Sequence, residues 1–186
     1  MRAFVAVFPP LEVRREALSW ANKRRSSDER VRWMRPENVH LTLKFLGDVQ
    51  AEALDSIRAA LGEVCAQHVP FDAALAKPGA FPSARRARIL WIGVGAGSDR
   101  LRSLATDIDD ALAPLGFERE KRPYVPHLTL GRTQGRPLHL DLPSGAEVTR
   151  FRVRRVELAE SRLAAEGATY RTVGGFALGR TPEYRS

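Results

Sequence analysis

The sequence predicts a mixed fold of strands and helices in which two lobes are related by an internal repeat. The tetrapeptide His-Leu-Thr-Leu occurs at 40–43 and again at 127–130, an offset of 87 residues (127 minus 40) in a chain of 186. An Arg-Pro pair precedes both copies, so that six of nine positions agree between 35–43 and 122–130. A strand–helix–strand pattern leads into each copy. A repeat of this length indicates two pseudosymmetric lobes.

The first repeat unit spans about 2–45. Its opening segment is β-rich and stops at two prolines, which suit the first turn of a helix. The motif segment alternates leucine with polar residues, as a half-buried strand does. The elements predicted here are a strand at 2–8, a helix at 10–25, a loop at 26–28, a turn at 36–38 and a strand at 39–45.

The segment between the units contains an amphipathic helix at 51–67, whose apolar residues recur at helical spacing. A strand at 71–75 follows, and the Pro- and Gly-containing segment 78–83 predicts a loop. Three arginines then form a basic cluster: Arg85, Arg86 and Arg88.

The second repeat unit spans about 89–132. Ser98 is the expected N-cap of its helix, and Gly116 is the expected stop. The elements predicted here are a strand at 89–94, a helix at 98–115 and a strand at 126–132. Beyond them the sequence predicts an alternating segment at 138–142, strands at 151–158 and 169–178, a turn at 164–167 between those strands and a polar tail at 179–186.

The composition limits the classes of function. The chain carries 30 Lys and Arg against 22 Asp and Glu, a net charge of +8, which favours an anionic partner such as nucleic acid. Cys65 is the single cysteine, which excludes a disulfide framework and a thiolate metal cluster. The sequence has no apolar run long enough for a membrane span. We therefore expect one cytoplasmic domain over 1–186, most simply a monomer.

Each motif predicts an imidazole and a hydroxyl on the same strand face. Side chains alternate between the faces of a strand, so His40 and Thr42 lie together, as do His127 and Thr129. Histidine, with an ordinary pKa of about 6.5, exchanges protons near neutrality. Two facing imidazoles can take a proton from a nucleophile and give one to a leaving group, while the hydroxyls hold phosphoryl oxygens. A strained cyclic phosphate suits such a site.

Three other interpretations are weaker. A metal site needs converging ligands at suitable spacing, and neither histidine has an acidic neighbour, so we expect no metal and no cofactor. A threonine nucleophile is badly placed to lose its proton to a histidine two residues away on its own strand. An ordinary polar strand face would explain one copy of the motif but not two in matched surroundings.

The chain resembles the 2H phosphoesterases, and within them it closely resembles the RNA 2′,3′-cyclic phosphodiesterases, also called 2′-5′ RNA ligases. The segments that carry the resemblance include both motifs and are 2–6, 32–47, 79–83, 90–94 and 126–132. The resemblance covers nearly the whole chain. It implies a bilobal α+β fold with antiparallel sheets around a cleft. It also implies metal-independent hydrolysis of an RNA terminal 2′,3′-cyclic phosphate to a 2′-phosphate.

By position in the family motif, the resemblance makes His40 the proton donor and His127 the proton acceptor, with Thr42 and Thr129 binding the phosphate. The residues alone do not order acid and base, because the two copies are nearly equivalent. Ligation through the same site and a non-catalytic RNA-binding role are the alternative functions.

Residues next to the motifs give further expectations. Lys44 shares the face of His40 by period two, and we expect it either to bind phosphate or to end the strand in solvent. Arg132 falls on the opposite face from His127 unless the strand bulges near Gly131, but the resemblance implies that it binds phosphate. Three aromatic residues could stack a base, although core packing is the expected role: Trp33, Phe45 and Tyr124.

Overall fold

The computed structural model describes residues 1–23, 30–139, 147–164 and 167–179. Its strands are β1 (Arg2–Val7), β2 (Val31–Trp33), β3 (Leu41–Asp48), β4 (Phe71–Phe81), β5 (Ile89–Val94), β6 (His127–Thr133), β7 (Thr149–Val153), β8 (Arg155–Ala164) and β9 (Gly167–Ala177). Its helices are α1 (Leu11–Lys23), α2 (Leu54–Gln67) and α3 (Ser98–Leu112), with short 3-10 turns at Pro36–Asn38, Ala51–Ala53, Ala84–Arg86 and Ala113–Leu115.

All strand pairs are antiparallel, and the order across the sheet is β7-β4-β5-β6-β3-β1-β8-β9, with β2 also pairing with β6. The two motif strands, β3 and β6, meet in the middle through one residue pair, Leu41 opposite Leu128. These leucines are counterparts in the repeat, so an approximate two-fold axis passes between them. The predicted α+β fold, with two pseudosymmetric halves and antiparallel strands, is confirmed.

The helices tie the two halves together. Helix α1 follows β1 in the chain but packs against β6 and β7 on the other side of the axis, whereas α3 follows β5 and packs against β3 and α2. Leu41 and Leu128 are both fully buried, within one apolar core that includes residues of both halves. Since each large apolar side chain contributes about 1.5–3 kcal/mol on full burial, this shared core fixes the halves relative to each other.

Two predictions about strands are wrong. The segment 78–83 is not all loop, because β4 continues to Phe81 and pairs with β5 along that length. The register shifts between Ala76 and Pro78, where Lys77 has φ 59°, and a bulge of this kind accommodates a proline in a strand. The segment 151–158 belongs to two strands. Strand β7 ends at Val153 and pairs with β4, whereas β8 begins at Arg155 and pairs with β1 and β9.

Ser98 is not the N-cap of α3. Gly97 occupies that position with φ 82°, a conformation that glycine adopts without steric cost. Some other predictions lie wholly or partly outside the described residues: the loop at 26–28, the segment 138–142, the turn 164–167 and the tail 179–186. Within the described ranges, no helix combines the length and the apolar character that a membrane crossing requires.

Gly79 gives a test of the packing next to the second motif. A Cβ added at Gly79 would overlap the indole of Trp91, whose ring lies 5.7 Å from that of His127. We expect Gly79→Ala to lower the free energy of unfolding by about 1–3 kcal/mol, because the indole must move. Urea unfolding monitored by tryptophan fluorescence measures it.

Gly62 is the matched control, because a Cβ there meets nothing within 4 Å on helix α2. Gly62→Ala should raise the free energy of unfolding by about 0.5–1 kcal/mol through helix propensity. Equal effects from the two substitutions would contradict the packing argument.

Candidate active site

Both motif histidines have the same hydrogen bond in the same position of the repeat. Nδ1 of His40 lies 2.7 Å from the Asn38 carbonyl oxygen, and Nδ1 of His127 lies 2.6 Å from that of Val125. A carbonyl oxygen can only accept, so each Nδ1 carries the hydrogen and donates it. This fixes the tautomer and leaves each Nε2 available for proton transfer.

The register at the sheet junction brings the motifs together. Continuing the Leu41–Leu128 pair by one residue on each side places His40 across from Thr129 and Thr42 across from His127. All four of these side chains are partly exposed, while the motif leucines are buried. The predicted division of each motif into a polar face and a core face is therefore present at the two-fold axis.

Burial favours the neutral form of both imidazoles. Burial lowers the pKa of His40 to about 4. The hydrogen bond to the Asn38 carbonyl opposes this shift, whereas positive charge on His127 and Arg14 lowers the pKa further. Burial also lowers the pKa of His127, opposed by the bond to the Val125 carbonyl. Near pH 7 the free protein thus holds two neutral imidazoles.

The aromatic surroundings of the two histidines differ. The ring of His40 has three aromatic neighbours at centroid distances of 4.8, 5.2 and 5.1 Å, which are Phe4, Phe8 and Tyr170. The ring of His127 has Phe81 at 5.1 Å and Trp91 at 5.7 Å. Sequence reasoning missed Tyr170, because only the pairing of β8 with β9 carries it to a motif 130 residues away.

Each motif strand contains a bulge one residue after its threonine. Ala6 pairs with Thr42 but Val5 pairs with Lys44, so Leu43 is an extra residue. Likewise Trp91 pairs with Thr129 but Leu90 pairs with Gly131. Leu130 is therefore the extra residue of β6, and it is the counterpart of Leu43. A bulge reverses the facing of every side chain that follows it.

The prediction that Lys44 either binds phosphate on the face of His40 or ends the strand in solvent is wrong. The bulge turns Lys44 into the core, where it is 2% exposed. Its Nζ donates to the Asp109 carboxylate on α3 and, at 2.7 Å, to the carbonyl oxygen of Glu118. Lys44 thus holds α3 and the segment after it against β3.

The bulge in β6 has the opposite consequence for Arg132. It turns this side chain away from the core, and Arg132 is exposed. Its positive charge acts on Tyr170, lowering a phenol pKa that burial raises. Since Tyr170 packs against His40, Arg132 lies on the cleft side of the sheet. Regular strand alternation predicted Arg132 on the face opposite His127, whereas the family resemblance predicted it beside the phosphate. The bulge places Arg132 on the cleft side, as the resemblance requires.

The three flanking aromatic residues have different positions. Tyr124 is half-buried and packs against the core, and burial of its hydroxyl raises its pKa. Trp33 is half-buried and packs against the core. Core packing is thus confirmed for these two. Phe45 is different, because the bulge places it on the cleft side, where it is 69% exposed.

Two polar residues that sequence reasoning missed support the turn before His40. Arg14 on α1 donates through Nη1 to the carbonyl oxygens of Pro36 at 3.1 Å and Glu37 at 3.0 Å. Asn38 donates through Nδ2 to the Ala168 carbonyl oxygen at 2.7 Å, which ties the turn to β9. These bonds hold the carbonyl that orients the His40 ring.

A two-fold related pair of histidines on an antiparallel sheet defines the 2H phosphoesterase class. The model of the 2′-5′ RNA ligase superfamily matches residues 9–164, and the chain belongs to that family. The resemblance seen in the sequence is confirmed.

Similar proteins span nearly the whole chain. The RNA 2′,3′-cyclic phosphodiesterase of Methanothermobacter thermautotrophicus is 33% identical over 96% of this chain and 99% of its own length. The enzyme of the same name from Archaeoglobus fulgidus is 35% identical over 95% of this chain and 99% of its own length. The crystal structure of TT0787 of Thermus thermophilus has a TM-score of 0.83 at 28% identity, covering 97% of this chain and 100% of that one. E. coli LigT complexed with 3′-AMP has a TM-score of 0.81 at 28% identity, covering 96% and 98%.

Replacing Lys44 separates a structural from a substrate-binding role. Lys44→Met leaves the largely buried Asp109 carboxylate without its cation, and we expect a loss of about 2–4 kcal/mol in the free energy of unfolding. The exposed Lys121 is the control, and Lys121→Met should change stability by less than about 0.5 kcal/mol. Unchanged stability in Lys44→Met, together with a raised KM, would contradict the structural role.

The pKa of His40 predicts a pH-dependent stability. The folded pKa of about 4 lies below the unfolded value of about 6.5, so the unfolded chain binds the proton first as pH falls. The contribution of neutral His40 to the free energy of unfolding is fully present above about pH 6.5. It is lost towards pH 4, at no more than about 1.4 kcal/mol per pH unit. Urea unfolding across this range should show a shallower decline in His40→Gln; a parallel decline in both proteins would contradict the prediction.

Proposed function

We propose that this protein hydrolyses the terminal 2′,3′-cyclic phosphate of RNA to a 2′-phosphate, using His40 and His127 as its proton donor and acceptor. The observation that carries the proposal is the matched pair of imidazoles, each oriented through Nδ1 and placed about a two-fold axis. The names of the relatives, RNA 2′,3′-cyclic phosphodiesterases, support the substrate class.

The two-fold arrangement suits in-line displacement at phosphorus. The attacking water and the leaving oxygen must lie on opposite sides of the phosphorus atom, and the axis supplies one imidazole on each side. Nε2 of His127 takes a proton from water as the new P–O bond forms. The P–O3′ bond breaks, and O3′ receives the proton held on Nε2 of His40. Exchange with solvent then restores both protonation states.

The substrate supplies the charge that sets these protonation states. Both imidazoles are neutral in the free protein, but a phosphate anion beside His40 raises its pKa, because opposite charges favour the protonated form. His40 therefore takes up its proton as the substrate binds. The hydroxyls of Thr42 and Thr129 donate to the non-bridging oxygens, and the Arg132 guanidinium adds a charge-assisted bond.

Ligation is the second candidate function, and the name of the matched superfamily favours it. In ligation, the 5′-hydroxyl of a second RNA would take the place of water and attack the cyclic phosphate. By microscopic reversibility, the same two imidazoles would serve this reaction and its reverse. We further propose that the enzyme acts in the cytoplasm as a monomer. One chain supplies every residue of the proposed mechanism, which supports the monomer.

The assay uses an RNA oligonucleotide that ends in a 2′,3′-cyclic phosphate, with EDTA present. We expect turnover to the 2′-phosphate, and a loss of about 10²–10⁴-fold in kcat for both His40→Ala and His127→Ala. The rate should have a bell-shaped pH dependence. Full activity in either variant would overturn the two-histidine mechanism, and loss of activity in EDTA would indicate a metal.

A substrate with sulfur in place of O3′ separates the acid from the base. A thiolate leaves without protonation, so His40→Ala should recover most of its rate on this substrate while His127→Ala should not. Recovery in His127→Ala instead would reverse the assignment. His139→Ala, at an exposed histidine outside both motifs, is the matched control.

A further inference from the structure

We propose that Arg14 is a positioning residue that distinguishes the two motif histidines, because it fixes the turn whose carbonyl oxygen orients His40 and has no counterpart in the second repeat. This inference rests on the proposed function. It addresses a question that the two-fold axis leaves open, which is how two copies of one motif come to serve opposite steps of the same reaction.

The side chain of Arg14 reaches from helix α1 to the 3-10 turn that precedes the first motif. Nη1 donates at 3.1 Å to the carbonyl oxygen of Pro36 and at 3.0 Å to that of Glu37. The next carbonyl along the chain, that of Asn38, accepts the Nδ1 hydrogen of His40 at 2.7 Å. A guanidinium is rigid, so it holds the two carbonyls that it binds in a fixed relation. The third carbonyl, and with it the plane of the imidazole, is fixed as a consequence.

The guanidinium also borders the aromatic surroundings of His40. Its central carbon lies 5.9 Å from the centroid of the Phe8 ring, which lies 5.2 Å from that of His40. The positive charge of Arg14 adds to the effect of burial in lowering the pKa of His40, so a proton on Nε2 is given up more readily. The other titratable groups that act on Arg14 or face His40 are Glu12, Glu37, Glu157, His127 and Tyr170.

The corresponding positions of the second repeat carry different side chains. The position of Arg14 is taken by Leu101 (14 plus 87), which is fully buried in the core. An alkyl side chain has no donor, so Leu101 cannot bind the carbonyls of the turn before His127. Arg14 therefore makes the two halves of the site unequal in how they hold their histidines. The pairs that differ, each 87 residues apart, are Arg14 and Leu101, Phe8 and Gly95, and Asn38 and Val125.

Two RNA substrates show whether Arg14 acts through His40. One ends in an ordinary 2′,3′-cyclic phosphate, and the other has sulfur in place of O3′ and needs no proton on its leaving group. We expect Arg14→Met to lower kcat about tenfold or more on the oxygen substrate, because a misaligned imidazole transfers its proton poorly, but less than about threefold on the sulfur substrate. Arg14→Lys keeps a positive charge and N–H donors, and it should recover part of the loss. Arg15→Met, at the exposed neighbouring arginine of α1, is the control and should match the parent protein on both substrates.

NMR spectroscopy of the imidazoles at pH 7 tests the positioning without substrate. In Arg14→Met, the Nδ1 hydrogen of His40 should exchange with water about tenfold faster or more, while that of His127 keeps its parent rate. Equal losses of kcat on the two substrates, or equal exchange behaviour at the two histidines, would overturn the inference. An absence of turnover in the parent protein would overturn the proposed function alone, because the NMR comparison still decides the role of Arg14.

Discussion

The structure depends on one contact, the pair of Leu41 with Leu128 where the two motif strands meet. It joins a residue to its own counterpart in the repeat, so it places the two-fold axis. Both leucines are fully buried, and each neighbours a motif histidine on the opposite face. The burial that holds the halves of the sheet together therefore also sets the separation of the imidazoles. Helices α1 and α3 reinforce this junction by packing across the axis.

The bulges after the two threonines make the site chemically different from a simple pair of strands. A regular strand would present Lys44 to the cleft and hide Phe45. The bulge exchanges them, and the lysine becomes a buried anchor for α3. In the second repeat the same bulge brings Arg132 to the cleft, while Gly131 occupies the position equivalent to Lys44. There a Cβ would crowd Val31 and Trp33 of β2.

The proposed catalysis by two like histidines requires that the protein distinguish them. The hydrogen bonds at Nδ1 are the same in both, so they set the tautomers without ranking the residues. The difference comes from more distant elements. Tyr170 and Phe8 enclose His40, and Arg14 adds a positive charge, whereas Phe81 and Trp91 border His127. In the proposed mechanism, a bound phosphate anion would act on two neutral imidazoles with unequal surroundings, and this inequality would allow opposite protonation states.

The sequence by itself determined the repeat, the polar and apolar faces of each motif, and hence the four residues His40, Thr42, His127 and Thr129. These follow from local alternation, which a strand enforces over a few residues. Only the tertiary structure decided where Lys44, Phe45 and Arg132 point, because a bulge arises from pairing with a neighbouring strand and not from composition. It also decided that Tyr170 lies against His40, since long-range pairing of β8 with β1 and β9 carries it there. The alternation of side chains is set within one strand and can be seen in its sequence, whereas register and bulges are set by the pairing of two strands.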